Sequence, residues 1–77
     1  MYILMQYRKN ERLIKLRKEK GLTQKNLADA LNMNQSMISC VETGKKEFGK
    51  ENKVKVANYF GVTVEYLFYE RYMNETA

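Results

Sequence analysis

The sequence predicts an all-α fold of five short helices in one small domain of 77 residues. Apolar residues recur three and four apart in short bursts, as on one face of a helix. The bursts are bracketed by residues that start and stop helices. Thr23, Asn34 and Thr63 stand at the starts, and Gly21, Asn32, Gly44 and Gly61 at the ends. Two bursts lie almost back to back between Gly21 and Gly44, with only a tight turn between them.

Taken in order, residues 1–9 read as an N-terminal extension, strand-like or disordered. Their apolar run MYILMQY is too short for a secretory leader or a membrane span. The domain proper is expected over residues 10–69, with a tail over 70–77. The first helix runs from Asn10 to Lys20, with Leu13 and Leu16 one turn apart facing the core and Ile14 on the flank. The second runs from Gln24 to Leu31, capped by Thr23, with Leu27, Ala28 and Leu31 on one face. Asn32 tolerates the left-handed backbone that ends a helix. Asn34 then caps a third helix, where Met33 and Ile38 stand at the positions of a hydrophobic staple. Ile38 and Val41 point inward, and Gly44 closes the helix. A fourth helix is expected from Lys50 to Phe60, with Val54, Ala57 and Phe60 at i, i+3 and i+6, plus Val56. Gly61 ends it, and Thr63 caps a fifth, stapled by Val62 and Leu67.

The outer face of the third helix is unusual. Gln35, Ser36, Ser39, Cys40 and Thr43 form a continuous stripe of short, neutral donors and acceptors. A merely solvated face would normally carry Lys and Glu. A face that approaches base edges wants short neutral groups, with cations at its ends for phosphates, and Lys45 and Lys46 stand at one end. Leu22-Thr23-Gln24, Leu27-Ala28, Leu31, Ile38-Ser39, Glu42 and Gly44-Lys45 together resemble the helix-turn-helix of the phage-repressor/Cro (XRE-type) family. The likeness extends from about Arg12 to Leu67.

That resemblance implies a five-helix, lambda-repressor-like DNA-binding domain whose third helix enters the major groove while the second crosses the backbone. It implies a transcriptional regulator, most simply a dimeric repressor on a near-palindromic site in double-stranded DNA. The alternative is an antitoxin or protein-interaction module that binds DNA secondarily. Gln35 and Ser36 are expected at base edges, and a Gln can bond adenine through two contacts. Ser39 and Cys40 follow one turn on; Cys40 is either a small residue that touches a thymine methyl or nothing at all, or a thiol whose oxidation or alkylation would block DNA entry. Gln24 and Asn34, at helix N-termini, are expected on phosphates, with Thr43, Lys45 and Lys46 on the flanking backbone. The family pairs Arg17 with Glu42. It also usually has apolar residues where Lys50 and Lys53 stand, so the core is expected to be thinner, or filled by Phe48 and Tyr59.

The chain carries 14 basic and 9 acidic residues, a net charge of +5. Arg8, Lys9, Arg12, Lys15, Arg17, Lys18, Lys20 and Lys25 face only Glu11 and Glu19 in the first third, while the C-terminal end is mildly acidic. That asymmetry suits a polyanion at one face and a protein contact at the other. Leu67, Phe68, Tyr69, Tyr72 and Met73, with Tyr66, exceed what one short helix hides. They are expected to form a homodimer surface, unless Tyr2, Ile3 and Leu4 cover them. The aromatics lie away from the basic half, which argues against a single-stranded RNA binder.

Chemistry for an enzyme is not expected. There is no histidine, and one cysteine makes neither a zinc site nor an internal disulfide. A lone thiol suits a reducing cytoplasm. The spacing Gly44-x4-Gly49-Lys50 imitates a phosphate-binding loop, but Glu51 stands where Ser or Thr would hold magnesium, and no strand precedes it. No metal, cofactor, small-molecule ligand or membrane contact is expected.

Overall fold

The structure, a computed structural model, describes residues 8–69. Among them the elements are α1 (Glu11–Glu19), α2 (Gln24–Leu31), α3 (Gln35–Thr43), α4 (Lys50–Phe60) and α5 (Glu65–Tyr69), with no strand. α5 is a single wide turn of π type. The expectations placed on Tyr2, Ile3, Leu4, Tyr72 and Met73 lie outside the described residues.

Side chains that the sequence put at helix starts mostly work as caps. The Thr23 hydroxyl accepts from the Asn26 amide, and the Asn26 side chain accepts in return from the Thr23 amide, a reciprocal box that fixes the start of α2. Thr63 accepts from Tyr66 N–H at 3.0 Å and so starts α5. Asn34 differs. It holds the N-cap position of α3 with extended backbone, but its side chain caps no amide and instead accepts from the Ser36 hydroxyl at 3.2 Å.

The tight turn between α2 and α3 depends on Asn32, at φ 56° and ψ 47°. This is the only non-glycine residue with positive φ among those described. Its short amide tolerates the left-handed region that a β-branched residue would not. Gly44 ends α3 the same way, at φ 89°. There the chain folds back so that Lys45 N–H and Lys46 N–H both reach the Cys40 carbonyl, at 2.8 and 3.2 Å.

The core is one cluster: Leu13, Leu27, Ala28, Leu31, Ile38, Val41, Phe48, Val56, Ala57, Leu67 and Phe68. Met33 is partly buried and packs on this cluster, to which Ile38 belongs. Two sequence expectations are corrected here. The inner face of α4 is Lys53, Val56, Ala57 and half-buried Phe60, whereas Val54 is 46% exposed. Positions 53, 56, 57 and 60 have full helical spacing, but a lysine at the first of them disguises the stripe. The space is filled by Phe48, whose ring meets Phe68 edge to face at 5.9 Å, and Tyr59 stays on the surface.

The second correction concerns self-association. Leu67 and Phe68 are 0% and 2% exposed, so they are core of this chain and not a dimer surface. α5 is too short to show an inner and an outer face in its sequence pattern. Its last turn is pulled inward by Asn10, itself 1% exposed, whose side-chain N–H donates to the Leu67 carbonyl at 3.2 Å while its oxygen caps α1 at Leu13 N–H.

Lys53 is tolerated in the interior because its ammonium is satisfied. Nζ lies 2.7 Å from the Glu47 carboxylate and 2.8 Å from the Tyr69 hydroxyl. Burial alone would lower its pKa; the bonds to Glu47 and Tyr69 outweigh that and hold it above the ordinary 10.5. A raised lysine pKa keeps its stabilising contribution at every pH below that range, to be lost only as pH climbs through it.

Phe68→Ala is expected to destabilise the monomeric fold by about 3–5 kcal/mol, the usual range for an emptied aromatic site in a core. Urea midpoints measure it; a wild-type midpoint would put Phe68 back on the surface.

Candidate nucleic-acid interface

Helix α3 is set in place by a buried ion pair. Arg17 of α1 meets Glu42 of α3 through two parallel bonds, Nε to Oε2 at 2.6 Å and Nη2 to Oε1 at 3.1 Å. Both residues are buried, at 8% and 2% exposure. Each partner makes a further side-chain bond. Arg17 Nη1 donates to the Leu22 carbonyl at 2.8 Å, and Gln24 Nε2 donates to Glu42 Oε1 at 2.9 Å. The Glu42 carbonyl accepts from Asn10 N–H at 3.0 Å. Three helices and the turn between the first two thus converge on one ion pair.

With Ile38, Val41 and Glu42 turned inward, the opposite face of α3 is left outward. Gln35 and Ser36 are exposed, and Ser39 and Cys40 are half-buried. Together with Gln24 and Asn34 they line a shallow concavity of about 470 Å³. Six of the nine residues expected at DNA are therefore brought together on one surface. The flanking cations Lys45 and Lys46 are exposed beyond Gly44, and their ammonium groups make no ion pair or hydrogen bond within the described residues. Cys40 is a free thiol on the same wall.

Two of the nine are differently employed from what their sequence positions suggested. Gln24 does edge the concavity, but one of its amide hydrogens is turned onto Glu42, so its first task is to brace the ion pair. Only one amide hydrogen is left for a phosphate. Thr43 donates its hydroxyl to the Ser39 carbonyl at 2.9 Å, so in this rotamer it offers a phosphate no proton. Helix back-bonding of this kind is invisible in residue type alone.

The basic half is also less free than its charge suggests. Arg12 lies 4.0 Å from the centre of the Tyr66 ring, its Nη1 donating to the Tyr66 carbonyl at 2.6 Å. Lys20 lies 5.7 Å from the Tyr59 ring. Arg17 is interior, and Lys25 pairs one turn on with Asp29. Asn10 and Lys53 were not among the residues singled out by function or pairing. A cap residue followed at i+3 by a core leucine was the available signal for the first. The second stood at the first position of an otherwise apolar i, i+3, i+4, i+7 stripe.

No described helix is long and apolar enough to cross a membrane. The five helices, the short turn between α2 and α3 and the polar outer face of α3 define a helix-turn-helix domain. The chain belongs to the XRE-type helix-turn-helix family of DNA-binding transcriptional regulators, matching the helix-turn-helix family over residues 13–67. It is similar to the uncharacterized HTH-type transcriptional regulator YqaE of Bacillus subtilis (strain 168), with 34% identity over 58 residues, 75% of this chain and 50% of that relative. The chain therefore spans about half the length of that curated relative. Among solved structures it is similar to the restriction-modification controller protein C.AhdI from Aeromonas hydrophila, with a TM-score of 0.68 and 32% identity, covering 77% of this chain and 89% of that one.

Arg17→Ala is expected to destabilise the fold by about 3 kcal/mol, because Glu42 would stay buried without its counter-ion. Denaturant midpoints decide it: a loss below about 0.5 kcal/mol, typical of an exposed pair, would mean the charge is solvated.

Proposed function

We propose that the chain is a non-enzymatic repressor that binds near-palindromic double-stranded DNA as a homodimer in the cytoplasm. The observation that carries the reading is the outward face of α3, where Gln35, Ser36, Ser39 and Cys40 sit on a shallow open wall with cations beside it. A helix fits the major groove, and short polar side chains there can approach base edges. In this reading Gln35 and Ser36 specify sequence, Ser39 and Cys40 contact the next base or its methyl, and Asn34, Lys45 and Lys46 hold phosphates. Both named relatives support a regulatory role, one being an HTH-type transcriptional regulator and the other a controller protein.

Dimerisation follows from an argument about specificity. One recognition helix reads few base pairs, which is little against a genome. Two related by a two-fold axis, roughly 34 Å apart, read successive grooves. With Leu67 and Phe68 inside, the surface left at the C-terminal end is Tyr66 and Tyr69, 37% and 43% exposed, to which Tyr72 and Met73 would add.

Two measurements test this reading. Gln35→Ala is expected to cost about 1–3 kcal/mol on a selected preferred duplex and to relax base choice at one position per half-site. Equal losses on preferred and random duplexes would make Gln35 a positioning residue. Sedimentation of the wild type is expected to give two chains per full-site duplex. One chain per duplex, with a monomer in solution at micromolar concentration, would remove the dimer.

A further inference from the structure

We propose that Lys53 is a positioning residue for DNA-backbone contact, clamping the loop that carries Lys45 and Lys46 onto the C-terminal element. The proposal rests on the reading of those two lysines as phosphate contacts. It concerns what holds them, which that reading leaves open.

The loop from Gly44 to Gly49 has few internal ties. Near its start, Lys45 N–H and Lys46 N–H share the single Cys40 carbonyl. At its far end Phe48 inserts into the core. Between these anchors the next residue is Glu47, whose carboxylate meets Lys53 Nζ at 2.7 Å. The same ammonium meets the Tyr69 hydroxyl at 2.8 Å and lies 4.7 Å from the Tyr69 ring centre. Its side chain is 10% exposed, against 33% for Glu47. One cation therefore ties the middle of the loop to α5 from inside α4.

Two consequences follow from charge and geometry. Glu47 is an anion one residue from Lys46, on the loop expected at the phosphates. Left unpaired, it would repel the DNA backbone and compete for Lys45 and Lys46. Paired inward with Lys53, its charge is neutralised and its side chain directed away from the duplex. The clamp also gives the loop a fixed height over α3. Because its third member is Tyr69, rearrangement at the C-terminal end is transmitted to the loop through one hydrogen-bonded cation.

Amide hydrogen exchange and DNA titrations on the full chain test the clamp. Lys53→Met keeps the stem volume and removes the cation; Tyr69→Phe keeps the ring and the net charge and removes only the hydroxyl. In Lys53→Met the Lys45 and Lys46 amides are expected to exchange roughly tenfold faster, with the α2 and α3 interiors unchanged. Binding to preferred and random duplexes should weaken by a common factor. The salt slope should fall toward that of Lys45→Ala with Lys46→Ala, by up to about one unit per lysine released. Tyr69→Phe should move loop exchange in the same direction by less. Wild-type loop exchange in both folded variants overturns the proposal. If Lys53→Met does not fold, Tyr69→Phe alone decides it. An unchanged salt slope in the Lys45, Lys46 double variant would instead defeat the phosphate reading, and faster loop exchange would still establish the clamp.

Discussion

Where α1, α2 and α3 meet, two opposite charges are buried together, and neither could remain there alone. Taking a guanidinium and a carboxylate out of water costs several kcal/mol each, and their attraction offsets that only when geometry is good and every valence is used. Here the geometry is good: two parallel bonds join Arg17 and Glu42, and Leu22 and Gln24 add one further bond to each partner. Such a pair adds little net stability over a packed apolar core. What it does is select one arrangement, because any rotation of α3 that separates the charges strands both. Glu42 lies near the end of α3, so fixing its carboxylate fixes which face of that helix looks out.

The rest of the site inherits that choice. Since Ile38, Val41 and Glu42 are held inward, Gln35, Ser36, Ser39 and Cys40 have nowhere to be but outward. There they lie outside the core cluster, on the wall of the concavity. Gln24 connects the two layers, with one amide hydrogen on the ion pair and its side chain on the wall of the concavity. A change to Glu42 would therefore be felt at the wall through Gln24 as well as through α3.

How much of this was legible in the sequence depended on the kind of signal. Asn32 and Gly44 were readable because a left-handed backbone leaves a strong mark on residue choice, and Thr23 and Thr63 because capping does. Four of the five helix bounds came within a residue of the structure for that reason. The Arg17–Glu42 pair was legible only through resemblance; nothing in two isolated charges says that they meet across 25 positions. Lys53 was misread because a buried amine looks polar until its partners Glu47 and Tyr69 are known. The Thr43 back-bond was not legible because a hydroxyl's bond to its own helix depends on rotamer, not on residue type.

The burial of Leu67 and Phe68 was hidden for a different reason, and it bears on how the core is built. Six large residues near one end looked like surplus when counted against a single short helix. Counted against the whole core, Leu67 and Phe68 are not surplus, being buried there, whereas Tyr66 and Tyr69 stay exposed. The inner face of α4 has a lysine at its first position, so apolar volume has to come from elsewhere. Phe48 enters from the loop and Phe68 from the tail, and their rings close on each other. The exposed Tyr66 and Tyr59 in turn have cations over their rings, the Arg12 guanidinium at 4.0 Å and the Lys20 ammonium at 5.7 Å from the ring centres. With a polar residue on the inner face of α4, aromatics from the loop before it and from α5 supply core volume. The same lysine that opened the gap supplies the ion pair that holds one of those segments in place.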